Sequence, residues 1–184
     1  PRMKLLVGNR IQPAVYFILV TALLDSMSIG IIIPVFPGLI MNMENCNESE
    51  AAIIGGRLMF SFAAMQFLAS PVMGALSDRF GRRPVLLLSL LGFGIDFLLL
   101  AFAPNLGWLF LGRVLAGLMG ASYTTASAYI SDITTPENRS KYFGMLGAAF
   151  GVGFIIGPGL GGLLSGWGLR APFFACAIIS LLNL

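Results

Sequence analysis

The sequence predicts an all-α integral membrane protein built as a six-helix bundle, on three observations. Hydrophobic residues make up 57% of its 184 positions and charged residues only 10%, where a soluble domain carries about 25% charged residues. The apolar residues fall into runs long enough to cross a bilayer. Between the runs, arginine and lysine gather in alternate connections. The content of 23 glycines and 15 phenylalanines suits packed transmembrane helices, where glycine is more frequent than in soluble ones.

The runs occupy 12–39, 51–75, 85–103, 107–131, 142–164 and 172–184, and a span needs about 20 residues to cross a ~30 Å hydrocarbon core. The first follows Arg2, Lys4 and Arg10. It has no small-residue cleavage site and more spans follow it, so it reads as a retained helix rather than a leader. The second follows the acidic connection Met41–Glu50, and the third follows Leu76–Pro84. The fourth starts after Pro104-Asn105, and the fifth after Asp132–Lys141. The sixth starts at Pro172 and runs 13 residues, about 20 Å at 1.5 Å per residue, too short to cross. It is therefore expected to be incomplete, and the chain a truncated protein or a fragment. With no internal linker or low-complexity stretch, residues 1–184 read as one bundle.

The charges set a direction. Arg2, Lys4, Arg10, Arg79, Arg82, Arg83, Arg139 and Lys141 lie on one side, and Arg57 and Arg170 on the other. The positive-inside rule then puts the N-terminus in the cytoplasm and the Glu44/Glu48/Glu50 connection outside. The densest cluster lies in Gly74–Pro84, where Asp78, Arg79, Arg82 and Arg83 fall within six positions. Gly74 and Gly81 are expected to permit close approach and tight turning there.

Four polar residues interrupt the apolar runs: Asp25, Gln66, Asp96 and Arg113. A charge at the bilayer centre costs about 2.5–3.5 kcal/mol on insertion scales. Pairing that only holds helices together is one explanation, although buried pairs are poor stability devices. The other is a water-accessible cavity for a polar substrate or a proton, since low dielectric favours the neutral form of a carboxyl group and so suits proton exchange. The fifth run is rich in glycine: Gly144, Gly147, Gly151, Gly153, Gly157, Gly159, Gly161 and Gly162, with Pro158 among them. Small residues at helical spacing bring helices close, and Pro158 is expected to break or bend this helix.

Enzyme and nucleic-acid classes do not fit. The chain has no histidine and only Cys46 and Cys176, which leaves no nucleophile constellation, disulfide framework or metal-ligand cluster. No phosphate-cradling loop leads into a helix. The net charge of +3 is spread over short loops rather than concentrated on one face.

Four motifs stand in order. Gly74-x3-Asp78-Arg79-x-Gly81-Arg82-Arg83 lies between the second and third runs, and Gly30-x3-Pro34-x2-Pro37 closes the first. Leu111-Gly112-Arg113-x3-Gly117-x2-Gly120 lies in the fourth run and Gly153-x3-Gly157-Pro158-x2-Gly161-Gly162 in the fifth. Together they resemble the major facilitator superfamily, the last in its antiporter form. With Leu23–Gly30, Ala64-Met65-Gln66, Ser77–Leu90, Asp96 and Ala171–Phe174, the chain is similar to the tetracycline/H⁺ antiporters over 12–184. It departs from them at Ser122-Tyr123-Thr124-Thr125, where that family has a small Thr-Gly pair.

The resemblance implies the N-terminal six helices of a twelve-helix carrier in a bacterial inner membrane. Asp25, Gln66, Asp96 and Arg113 would face a central cavity handling a metal–tetracycline cation and a counter-transported proton. Asp78 and Arg82 with Asp132 would hold the cytoplasmic side closed. No tightly bound cofactor is implied: the proton gradient drives export, and the divalent cation travels with the drug. The expected partners are the drug, membrane lipid and a C-terminal half of the same protein. An importer or metabolite exchanger of the same fold, or a non-transporting half-length chain working through a separate second half, are the other readings.

Overall fold

The computed structural model describes residues 2–120 and 122–184, with side chains from Pro13 onward, and is helical almost throughout. The side chains of Arg2, Lys4 and Arg10 lie outside this set. Seven helices follow in order: α1 (Arg2–Glu44), α2 (Glu48–Phe80), α3 (Arg82–Phe102), α4 (Leu106–Met119), α5 (Ser122–Ile133), α6 (Pro136–Ser165) and α7 (Ala171–Leu182). Among the described residues, five stretches are long and apolar enough to cross a membrane: Pro13–Glu44, Glu48–Phe80, Arg82–Phe102, Leu106–Ile133 and Pro136–Ser165. The protein is thus a multi-pass, all-α membrane bundle. α7 is apolar but shorter.

The helices run past the apolar runs because polar residues serve their ends. Asn47 caps α2: its Oδ1 accepts from the Glu50 amide at 2.9 Å, and the Glu50 carboxylate accepts from the Asn47 amide at 3.2 Å. This reciprocal pair satisfies two orphan donors of the first turn. The acidic connection is thereby reduced to the few residues between Glu44 and Glu48. The Gly74–Pro84 segment is likewise helical except at Gly81, whose φ of 98° ends α2 and admits α3. That backbone suits a residue with no Cβ. Gly74 has the opposite setting, since a Cβ there would meet open space.

Two expectations about breaks are corrected. Pro158 does not interrupt its helix, and α6 is continuous from Pro136 to Ser165. Pro34 and Pro37 do not close the first helix either, which continues to Glu44. The interruption comes instead in the fourth span, where α4 ends at Met119 and α5 starts at Ser122. Gly120 there has φ −76° and ψ 50°, outside the helical region. A proline forfeits one helix hydrogen bond, which packing along the rest of a long helix can outweigh, whereas a glycine forfeits backbone restraint.

α1 packs mainly on α6, α2 on α4, and α3 on α7 and α4. The main core joins Ile31, Val35, Phe36 and Leu39 of α1 to Phe93, Phe97 and Leu100 of α3, Leu109 of α4 and Phe173 of α7. The α1–α6 contact is made backbone to backbone. A Cβ at Gly157 would stand 2.6 Å from the Gly30 Cα, one at Gly153 would strike the Leu23 carbonyl and the Ser26 hydroxyl, and one at Gly161 would strike the Ile31 carbonyl. These three, four residues apart, form one face of α6. Gly144, Gly147, Gly151, Gly159 and Gly162 face open space.

Candidate functional site

A cavity of about 370 Å³ opens where α1, α2, α3, α5 and α6 meet the break in the fourth span. α1 contributes Thr21, Asp25 and Ile29 at four-residue spacing, and α2 contributes Phe62 and Gln66 at the same interval, so each helix turns one face inward. Phe93, Tyr123 and Phe150 complete an aromatic wall. Tyr123 and Phe150 meet edge to face with centroids 5.3 Å apart, and Phe150 stacks on Phe154.

The polar groups on this wall are few and placed. Asp25 is half-buried, and Ser122 presents its hydroxyl to the Asp25 carboxylate. The Gln66 side-chain Nε2 donates to the Gly120 carbonyl at 2.6 Å. That bond ties α2 to the interruption between α4 and α5, and answers a carbonyl that the interruption frees from helix pairing. Gln66 itself lines the cavity.

Asp96 and Arg113 are placed differently from Asp25 and Gln66. They do not line the cavity but pair with each other in the core, the Arg113 Nη2 donating to the Asp96 Oδ2. Asp96 is 0% exposed and Arg113 6%. The guanidinium lies between the Phe36 and Phe62 rings, 5.9 and 5.8 Å from their centroids, so its charge is balanced by a carboxylate and two π faces. Gly112 makes room, because a Cβ there would stand 2.7 Å from the Asp96 Oδ1. Through Phe62, which also lines the cavity, the pair touches the back of the site. In low dielectric each charge finds its counter-charge before it finds water.

At one end of the bundle Arg82 gathers three partners. It bonds Asp78 at 2.6 Å, Asp132 at 2.8 Å and the Ser77 hydroxyl at 3.1 Å. The cluster joins the end of α2, the start of α3 and the end of α5. Arg79 turns away onto the Phe80 ring, 5.5 Å from its centroid. Arg83 is exposed beside Arg82 and makes none of these bonds.

Sequence reasoning did not single out Thr21, Phe62, Phe93 or Phe150, and it met Ser122 only within the departure at 122–125. The first two could have been found by stepping four residues from Asp25 and Gln66 along one helical face. Ser122 lies two residues past Gly120, at the start of α5. Nothing in the sequence marks Phe150, which tertiary packing alone brings here.

The model of the Major Facilitator Superfamily matches residues 18–184. The chain is 49% identical over 171 residues to the tetracycline resistance protein, class C, of Escherichia coli, an alignment covering 93% of this chain and 43% of that protein. It is 44% identical over 165 residues to the class H protein of Pasteurella multocida, covering 90% and 41%. Among solved structures, the human organic anion transporter MFSD10 (TETRAN) superposes with a TM-score of 0.80 at 26% identity, over 94% of this chain and 46% of that one. The chain thus spans about two fifths of the length of the curated relatives it matches. A match over nearly all of its residues, a bundle that superposes on a solved transporter and glycines used for close helix contact agree: the chain belongs to the Major Facilitator Superfamily.

Proposed function

We propose that this chain forms the N-terminal half of a proton-coupled drug exporter that takes tetracycline as its metal complex across a bacterial inner membrane, with its N-terminus in the cytoplasm. The observation that carries this reading is the cavity itself, where one carboxylate, Asp25, stands in an aromatic wall with the Gln66 amide opposite. A planar cationic drug complex finds in it a counter-charge, ring faces for its fused rings and a hydrogen-bond partner. The similarity to tetracycline resistance proteins supports the choice of drug.

In this reading the drug complex enters from the cytoplasm and binds against ionised Asp25. A proton arriving from outside neutralises the carboxylate, removes the counter-charge and weakens retention, and its departure inward resets the carrier. Asp96 and Arg113 position the wall through Phe62 rather than touching the drug. Asp78, Arg82 and Asp132 close the cytoplasmic end in the outward-facing state. A second half-bundle would complete the cavity, since carriers of this type build the site between two related halves.

The test is drug-driven proton movement by the full-length protein in everted vesicles, with tetracycline and Mg²⁺ supplied outside. Asp25→Asn is expected to abolish it while the protein still inserts, and Gln66→Ala to weaken apparent drug affinity. Undiminished proton movement in Asp25→Asn would sink the assignment.

A further inference from the structure

Arg170 is an exception to the charge asymmetry of the chain. It lies in the connection before α7, on the side otherwise poor in basic residues, and the mechanism above does not use it. Its guanidinium is nonetheless held in place: Nη1 donates to the Ala101 carbonyl at 3.1 Å and Nη2 to the Ala103 carbonyl at 2.8 Å. Both acceptors lie at the C-terminal end of α3, where carbonyls lack helix partners and the dipole favours a cation. Among the described residues no carboxylate pairs with it. Two carbonyls engage part of a five-donor fork and leave the positive charge uncompensated.

Ala103 is flanked by Phe102 and Pro104, and both line a groove of about 410 Å³ on the outside of the bundle. Ile95, Leu98, Leu99 and Trp108 complete it. This is the outward face of α3, because Phe93, Asp96, Phe97 and Leu100 on the other face are buried. Phe102 and Trp108 are 66% and 45% exposed. The groove lies in the membrane-spanning α3–α4 hairpin, at the end remote from Arg82. Trp108 lies two residues inside α4, at the start of its span, and tryptophan is favoured at the ends of spans.

We propose that the α3–α4 hairpin is a phospholipid site: one acyl chain lies along Ile95, Leu98 and Phe102, and the phosphate meets the Arg170 guanidinium. The apolar lining suits a hydrocarbon chain, and an arginine anchored to the Ala103 carbonyl, between the groove residues Phe102 and Pro104, suits a phosphate by charge and by fork geometry. The inference rests on the membrane-spanning bundle and not on the choice of drug.

The experiment uses the full-length protein in vesicles of phosphatidylethanolamine and phosphatidylglycerol, with a phosphatidylglycerol probe carrying a photoreactive diazirine in one acyl chain. Mass spectrometry of the crosslinked peptides is expected to find label concentrated in residues 95–108. Leu98→Trp and Ile95→Trp, which fill the groove from its lipid side, are each expected to cut that label at least five-fold. Arg170→Gln should cut it comparably and Arg170→Lys less. Thermal unfolding of each variant, unchanged from the parent, separates loss of the site from loss of the fold. Label spread evenly over the exposed faces of α2 and α6, or undiminished in both tryptophan variants, would overturn the site. Equal labelling by a diazirine fatty alcohol, which has no phosphate, would overturn the role of Arg170.

Discussion

Arg113 and Asp96 form an ion pair inside the bundle while each keeps one polar atom unanswered among the described residues, the Asp96 Oδ1 and the Arg113 Nε. A pair so enclosed is an expensive way to hold helices together, because its desolvation offsets most of the attraction. Removing one partner strands the other charge in the core. Asp96→Asn or Arg113→Gln alone is expected to lower stability by about 3–5 kcal/mol, whereas the apolar double change Asp96→Leu with Arg113→Met recovers most of the loss. Thermal unfolding in detergent checks the stability and vesicle transport checks the function. The double variant should fold and still fail to export, because the polar support behind Phe62 is gone.

The glycines of α6 divide by what surrounds them. Gly157→Ala places a methyl 2.6 Å from the Gly30 Cα and 2.7 Å from the Met27 carbonyl, backbone atoms that cannot move aside independently. Overpacking of that kind costs about 1–3 kcal/mol. Gly159→Ala, two residues away, meets nothing within 4 Å and should gain a few tenths through helix propensity. The two unfolding temperatures should move in opposite directions, and equal shifts would show that α1 and α6 are not in close backbone contact.

The Gln66–Gly120 bond makes a local prediction. Gln66→Ala leaves the Gly120 carbonyl without its donor, at about 1–3 kcal/mol for a buried acceptor. Opening should be confined to the interruption it supports. Hydrogen exchange in residues 116–126 is expected to rise about ten-fold or more while α3 is unchanged. Uniformly faster exchange would instead mean that the bond matters to global stability.

Much of the bundle is readable from residue order because membrane length and loop charge are one-dimensional properties. Asp25 and Gln66 likewise stand out as polar groups in apolar runs. Pairing is not one-dimensional. Asp96 and Arg113 look in sequence like two more cavity residues, and only the rotation of α3 against α4 turns them toward each other. Gly153 and Gly159 are indistinguishable as letters, and what separates them is which side of α6 faces α1. Pro158 carries the stronger breaking signal, yet the break falls at Gly120, because continuity depends on packing along the whole helix.

Arg82 is where stability and function should separate most clearly. Its carboxylate partners are largely open to solvent, the Asp78 side chain 67% and the Asp132 side chain 52% exposed, and exposed pairs of this kind add little to folding. Arg82→Gln should therefore leave the unfolding temperature nearly unchanged. The cluster still links three helix ends, so its loss should alter how those ends are arranged. Spin labels at Ala75 and Glu137, in a Cys46→Ser background, report the spacing between the end of α2 and the start of α6. A narrow distance distribution is expected for the parent full-length protein and a broader, longer one for Arg82→Gln and for Asp132→Asn. Arg82→Lys should fall between them, since a lysine keeps the charge but not the fork that serves Asp78, Asp132 and Ser77 together. Exchanging the charges, Arg82→Asp with Asp132→Arg, should narrow the distribution again. If all four variants give the parent distribution, the cluster is a solvated contact and does not set how these helix ends are arranged.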